Sequence, residues 1–246
     1  MKALILAAGL GTRLRPLTDH IPKALIPVNG VTLLERSIRH VAQSGVREIL
    51  VNVHYFADQV ETFLQHIELP DVKIYIQDER EILLDTGGSM RLARDFFGKT
   101  GQALVVNADI ISTLDFGEML AFHESNDAAA TLDVRLRSSS RQLLFDDKNQ
   151  LRGWANNKGE FKWVNGPIDT YNQFAFSGIQ IIDSAAFDQM PDQFVFSSID
   201  WYLTLAQKHK VLAYQSSSSI WLDVGSAEKL AIAEEIVSKL EQNSER

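Results

Sequence analysis

Ala3 to Ala7 is an unbroken apolar run that closes on a glycine turn, the pattern of a central strand buried on both faces. Leu33 to Ser44 changes rhythm: Leu34, Ile38 and Val41 recur at helical spacing, and Gly45 stops the helix. Glu48 to Val53 reads as a second strand and Ala57 to Ile67 as an amphipathic helix through Val60, Phe63, Leu64 and Ile67. Val72 to Gln77 gives a third strand, Gly88 to Phe97 a helix, and Ala103 to Val106 a fourth strand that runs into Asn107-Ala108-Asp109. Strands and helices thus alternate as far as Asp109. Such βαβ units predict a Rossmann-like three-layer α/β/α fold around a sheet.

Beyond Asp109 the rhythm is mixed. Asp115 to His123 reads as a short helix, and Ala128 to Val134 as a strand. Leu143 to Trp154 reads as a strand pair about the turn Asp146-Asp147-Lys148-Asn149, and Phe174 to Ile182 as another strand. Ser197 to Lys208 is helical, Val211 to Tyr214 and Ile220 to Leu222 are strands, and Ser226 caps a closing helix to Leu240. Ser216 to Ser219 reads as a polar loop and Glu241 to Arg246 as a frayed tail. The expectation is an α/β class fold with a mixed sheet and a small β-rich part, in one domain over 1–246.

Composition narrows the function. The chain has 246 residues, 45% hydrophobic and 23% charged, enough to bury a core without disulfides. Twenty-four basic against thirty-two acidic residues leave a net charge of −8, with no basic stripe for nucleic acid. The absence of cysteine excludes disulfides and thiolate metal sites. The opening apolar run is too short for a signal peptide, and no stretch reaches the roughly 20 residues of a membrane span. A cytoplasmic protein without membrane or nucleic-acid partners is expected, as a monomer or small homo-oligomer.

The chemistry is concentrated after the first strand, in Leu6-Ala7-Ala8-Gly9-Leu10-Gly11-Thr12-Arg13-Leu14. Two glycines let backbone N–H groups approach a polyphosphate, and Arg13 adds a bidentate cation. A plain strand-to-helix turn would look the same. Leu14 stands where the dinucleotide fingerprint wants glycine or alanine, and no P-loop Gly-Lys-Ser/Thr follows. Further on, Pro22 restricts Ile21 and holds the segment before Lys23 in shape.

From Leu6 to Pro27 the chain resembles the signature of the sugar-phosphate nucleotidyltransferases, L-A-A-G-x-G-T-R-L-x-P-L-T followed by P-K-x-L-x-P. The resemblance implies the nucleotide-diphospho-sugar transferase fold. It implies that Ala8, Gly9, Gly11 and Thr12 cradle a triphosphate, with Arg13 and Lys23 as catalytic cations. Val106-Asn107-Ala108-Asp109 and Trp221-Leu222-Asp223-Val224-Gly225 are similar to two further family motifs. By that likeness Asp109 and Asp223 hold Mg²⁺, which favours one or two carboxylates plus phosphate oxygens. Each alone could equally be a solvated loop residue or a helix cap.

The likeness also places the base against Thr86, Gly87 and Gly88; Gln77, at the end of a strand, is a separate candidate for reading a base edge. Thr86 would cap a helix there. Asn107, Trp154, Asn156, Ser177 and Gly178 fall to the sugar side, where structural roles are also open. Many relatives carry Glu-Lys-Pro before this strand to grip the sugar phosphate; here the triplet is missing, though Lys158 and Lys162 lie nearby. The expected division is a nucleotide-binding half at 1–110, a sugar-binding half at 111–225, and a closing helix and tail at 226–246.

The implied reaction joins a nucleoside triphosphate to a sugar 1-phosphate and releases pyrophosphate. Among compact members the chain looks most like the N-acetylmuramate-1-phosphate uridylyltransferases. Ala7-Ala8-Gly9 resembles the pyrimidine branch, which favours UTP. Thymidylyl or uridylyl transfer to glucose 1-phosphate, and guanylyl transfer to mannose or heptose 1-phosphate, stand as alternatives. So does a non-catalytic nucleotide-sugar sensor, although it would be expected to lack Arg13, Lys23 or an aspartate.

Overall fold

The computed structural model describes residues 1–216 and 218–244. Ser217 of the expected polar loop, and Glu245 and Arg246 of the expected tail, lie outside the described residues. In chain order the strands and helices are β1 (Lys2–Leu6), β2 (Pro27–Val28), β3 (Val31–Thr32), α1 (Leu33–Gln43), β4 (Glu48–Val53), α2 (Ala57–His66) and β5 (Lys73–Asp78). There follow α3 (Asp85–Leu92), α4 (Arg94–Phe97), β6 (Gln102–Asn107), β7 (Ile110–Ser112), α5 (Phe116–Ser125) and β8 (Ala130–Arg135). The remainder are β9 (Arg141–Phe145), β10 (Leu151–Asn156), β11 (Phe161–Trp163), β12 (Asn172–Asp183), α6 (Ser198–Leu205), β13 (Val211–Tyr214), β14 (Trp221–Asp223) and α7 (Ala227–Ser244).

The chain forms two compact units. The first, here the glycine-loop unit, takes Leu4–Leu83, Val106–Leu114 and the chain from Ser219. Its strands run in the order β1-β4-β5, with β4 and β5 parallel in the register Glu48↔Lys73 to Val53↔Asp78. Ala3 to Ile5 and Ile49 to Val53 are buried throughout, as their continuous apolar runs require. A small antiparallel pair, β7 with β14, sets Asp223 opposite Ile110. Beneath it Leu14, Ile26, Val28, Leu33, Ile111, Val224, Ala233 and Val237 form one apolar cluster.

The second, the long-strand unit, takes Met1–Ala3, Leu84–Val105 and Asp115–Ser218. Its strands run β11-β10-β9-β12-β6, and β12 also pairs with β8, which carries β13 in parallel. Pairings β10–β11, β9–β10, β9–β12 and β8–β12 are antiparallel, so this unit supplies the β-rich character expected of the second half.

Several boundaries differ from the sequence reading. The helix expected at Gly88 starts at Asp85 and breaks at Ala93 into α3 and α4. Thr86 is therefore inside the helix rather than its cap. The closing helix continues through Ser244, past Leu240 and into the stretch expected to fray. Strands β2, β3, β7 and β11 were not expected; at two or three residues each they are too short to carry a period.

Candidate active site

The glycine loop is shaped by two side chains. Gly11 has φ +63°, and a Cβ there would stand 2.8 Å from Thr18 Cγ2 and 3.0 Å from Lys23 Cβ, so both backbone and space demand glycine. Thr18 Oγ1 donates to the Gly11 carbonyl at 2.9 Å and fixes the turn. Leu14 then enters the apolar cluster, which pins the loop's far end while Arg13 stays exposed. Among the described residues, no backbone N–H from Gly9 to Thr12 is used inside the protein. Beside Gly9 there is open space where a Cβ would be.

Pro22 holds extended geometry and leads directly into a short 3-10 turn, Lys23–Leu25, closed by Leu25 N and Ile26 N on the Pro22 and Lys23 carbonyls. Ile26 is drawn into the core, and Lys23 is 9% exposed. A lysine so buried needs a partner. It has Asp109, with which it forms a close ion pair.

Asp109 and Asp223 meet through the backbone. Val224 N donates to the Asp109 carbonyl at 2.9 Å, continuing the β7–β14 register. Strand alternation does the aiming: Leu222 and Val224 pack into the core, so Asp223 faces the other way. Its Oδ2 accepts from Lys229 Nζ at 2.7 Å, while Oδ1 is buried with no hydrogen-bond partner among the described residues. Burial by itself would raise this carboxyl's pKa. The Lys229 hydrogen bond and the charges of Lys229, Lys23 and Arg13 outweigh burial and hold it below the ordinary carboxylate value. A Cβ on Gly225 would stand 2.6 Å from Asp223 Oδ1 and 3.0 Å from the Arg13 guanidinium, so these two groups lie against the same glycine. Arg13, Lys23, Asp109 and Asp223 therefore share one locus within the glycine-loop unit.

The donor set suits magnesium. Two carboxylates stand on neighbouring chain segments, and one of them carries an orphaned buried oxygen. Among the described residues there is no cluster of three or more His, Cys, Asp or Glu that could form a protein-only cage. A magnesium ion takes one or two carboxylates together with substrate phosphate oxygens, and this pair could supply the carboxylates.

The remaining candidates behave differently. Gln77 is buried and donates to Glu79 Oε1 at 2.6 Å, so its amide nitrogen is engaged. Asn107 ends β6, half-buried, two positions before Asp109. In the long-strand unit, Thr86 Oγ1 accepts from Ser198 N at 3.0 Å and thereby serves the start of α6. Gly87 N and Gly88 N donate to the Phe196 carbonyl, and side chains there would collide with Phe196 and with the Phe194 carbonyl. These glycines are needed for packing. Asn156 Oδ1 accepts from Lys158 N and Glu160 N, closing the β10–β11 turn. Ser177 bonds to Ile179 N and to the buried Asp133, and Gly178, at φ +87°, turns the bulge in β12. Trp154 is half-buried on the same face as Lys162, whose ammonium lies 5.5 Å from the ring centroid and pairs with Asp200.

A family model for nucleotidyl transferases matches residues 2–142, more than half of the chain. The chain belongs to the nucleotidyl transferase family. Among curated relatives of this nucleotidyl transferase, the N-acetylmuramate alpha-1-phosphate uridylyltransferase of Caulobacter vibrioides is 44% identical over 111 residues, 44% of this chain and 46% of that protein. The mannose-1-phosphate guanyltransferase of Yarrowia lipolytica is 28% identical over 92% of this chain and 61% of its own. The chain thus spans less than two thirds of either relative. Among solved structures, HddC from Yersinia pseudotuberculosis in complex with GMP-PN superposes with TM-score 0.75 at 22% identity, covering 96% of this chain and 99% of that one. The UDP-glucose pyrophosphorylase of Acinetobacter baumanii gives 0.78 at 16% identity, covering 95% and 91%. At these identities the likeness establishes the fold: α/β, with a mixed sheet.

Three residues of this nucleotidyl transferase site escaped sequence reasoning. Lys229 holds Asp223 from the first turn of α7, and only its place six residues after the aspartate hinted at it. Asn52 and Glu79 lie under the glycine loop. The signal for Asn52 was a lone amide within the otherwise apolar run Ile49–Val53. No helix among the described residues is long and apolar enough to cross a membrane.

Proposed function

We propose that this nucleotidyl transferase joins UTP to N-acetylmuramate 1-phosphate, giving a nucleotide sugar and pyrophosphate. One observation carries the reaction class: two cations, Arg13 and Lys23, meet two carboxylates, Asp109 and Asp223, beside a glycine loop with unused N–H groups. The reaction brings together two anions, a phosphate nucleophile and a triphosphate, so positioning and charge neutralisation dominate. Backbone donors from Gly9 to Thr12 receive the polyphosphate. Arg13 and Lys23 hold charge developing on the α-phosphate and the departing pyrophosphate. The nucleophile is already ionised, so no general base is required. Asp109 and Asp223 would hold a magnesium ion, which when bound neutralises and aligns phosphate oxygens for in-line displacement. Residues 1–110 serve the nucleotide and 111–225 the sugar in this reading, and its triphosphate substrate puts the reaction in the cytoplasm.

The 44% identity to a uridylyltransferase, though over less than half of the chain, supports the choice of UTP and N-acetylmuramate 1-phosphate. A second reading, GTP with mannose 1-phosphate, is supported by relatives that align over 92% of the chain at lower identity. Pyrophosphate release from UTP, GTP and dTTP, each with N-acetylmuramate, mannose and glucose 1-phosphates, decides between them. The UTP and N-acetylmuramate pair is expected to give the highest kcat/KM. Release with no pair would leave binding without turnover, as in a nucleotide-sugar sensor.

A further inference from the structure

Asn52 occupies a position where the fold has no need of a polar residue. It lies in β4 between Val51 and Val53, is 1% exposed, and pairs in register with Gln77 of β5. Valine or isoleucine would suit a strand so buried, and an amide there is costly unless its hydrogen bonds are met. They are met in a particular way. Oδ1 accepts from Ala7 N at 2.6 Å and from Ala8 N at 3.3 Å, the two residues that enter the glycine loop. Nδ2 donates to Glu79 Oε1 at 3.1 Å, and the same oxygen accepts from Gln77 Nε2 at 2.6 Å. Glu79 is itself buried, and its backbone is fixed by Glu79 N on the Val53 carbonyl and by the His54 ring on its own carbonyl.

Two successive N–H groups converging on one oxygen form the kind of concave donor surface that binds anions. Here Asn52 fills the first part of that surface from within the protein. The next N–H groups, Gly9 to Thr12, have no partner among the described residues. We propose that Asn52, keyed by Glu79, is a positioning residue that sets the phosphate loop before any nucleotide arrives. This rests on the reading that the loop takes the triphosphate. A polar side chain in a buried strand is then explained: local strand preference is given up for a loop held ready, and less ordering is left for the binding step.

The test uses Asn52→Asp, which keeps the shape and the oxygen facing Ala7 and Ala8 but turns the donor toward Glu79 into a second carboxylate oxygen. The partner variant Asn52→Asp/Glu79→Gln restores a donor opposite that oxygen and conserves charge. Calorimetric titration with whichever of UTP, GTP or dTTP the wild type binds should show Asn52→Asp weakened about tenfold, the scale of one buried hydrogen bond lost. The double variant should recover most of this. KM for the sugar 1-phosphate should stay within about twofold, because a loop-setting role acts on the triphosphate alone. Unchanged triphosphate affinity in Asn52→Asp, a double variant no better than the single, or an equal rise in both KM values would each overturn the proposal. A wild type that binds no triphosphate would instead sink the proposed reaction, and this role with it.

Discussion

The polar residues picked out from the sequence fare differently in the two units. In the long-strand unit nearly every sequence-selected group closes on its own neighbours: Thr86 on Ser198, Asn156 on its own turn, Ser177 on Ile179 and Asp133. In the glycine-loop unit charges crowd together and some bonding capacity is left over, seen in the buried Oδ1 of Asp223 and the unused N–H groups of the loop. A fold satisfies polar groups wherever it can, because an unmet buried group costs about 1–3 kcal/mol. Leftover capacity alone does not mark a ligand site, since Asp133 Oδ1, Trp201 Nε1 and Tyr202 Oη of the long-strand unit are also buried without a partner among the described residues. What sets the glycine-loop unit apart is leftover capacity beside crowded cations and carboxylates.

The sharpest way to break this contrast is Lys23→Ala. Loss of an aligned cation should cost about 2.7–4 kcal/mol of barrier, on the order of a hundredfold or more in kcat. Melting should change little, since Asp109 is left partly exposed; a variant with near-normal turnover removes Lys23 from the chemistry. Gly225→Ala comes next. Its methyl would press on Asp223 Oδ1 and the Arg13 guanidinium, and misplacement on the scale of 1 Å costs about 100-fold. Steady-state kinetics on the purified variant checks this, and wild-type rates would show that the two groups need not be held so closely.

In the other unit the expected damage is to stability. Gly88→Ala would collide with the Phe194 carbonyl, an overpacking cost of about 1–3 kcal/mol seen in denaturant melts. Its turnover per folded molecule should be unchanged; a selective loss of nucleotide affinity would instead make Gly88 part of the base pocket. The smallest effect concerns His123, which is buried against Thr131. Burial lowers its pKa, against the opposing charges of Asp183 and Glu124. The unfolded chain then binds the proton first, so this contribution is complete above the unfolded value of 6.5 and is lost as pH falls through and below it. Melting temperature from pH 7 to pH 5, about two units across that value, should fall less steeply in His123→Asn than in the wild type.

The same contrast governs what was legible in the sequence. Long apolar runs such as Ala3–Ala7 and Ile49–Val53 announced their strands because burial on both faces leaves no other reading. Gly11, Lys23 and the two aspartates each stood in a recognisable motif, so each could be singled out, but their meeting in space was not legible. The three-residue strands β7 and β14, which bring the aspartates together, carry no period of their own. The internal hydrogen bonds of Thr86 and Asn156 were illegible for a different reason. Their partners, Ser198 and the Lys158–Glu160 turn, become visible only when helix packing and strand register are known. Asn52 was hidden because it acts through hydrogen bonds to residues distant in sequence, with no motif around it.

One consequence follows from the position of α7. Lys229 reaches Asp223 from this helix, and Asn29 bonds to Glu234 and Ser238 farther along it. The stretch from Ser219 is the last part of the unit to leave the ribosome, yet it brings both the Asp223 carboxylate and the ammonium that steadies it. Until α7 docks, a nascent molecule carries its loop and Lys23 without Asp223 and Lys229 in place, so the proposed chemistry would begin only after this helix has joined the unit.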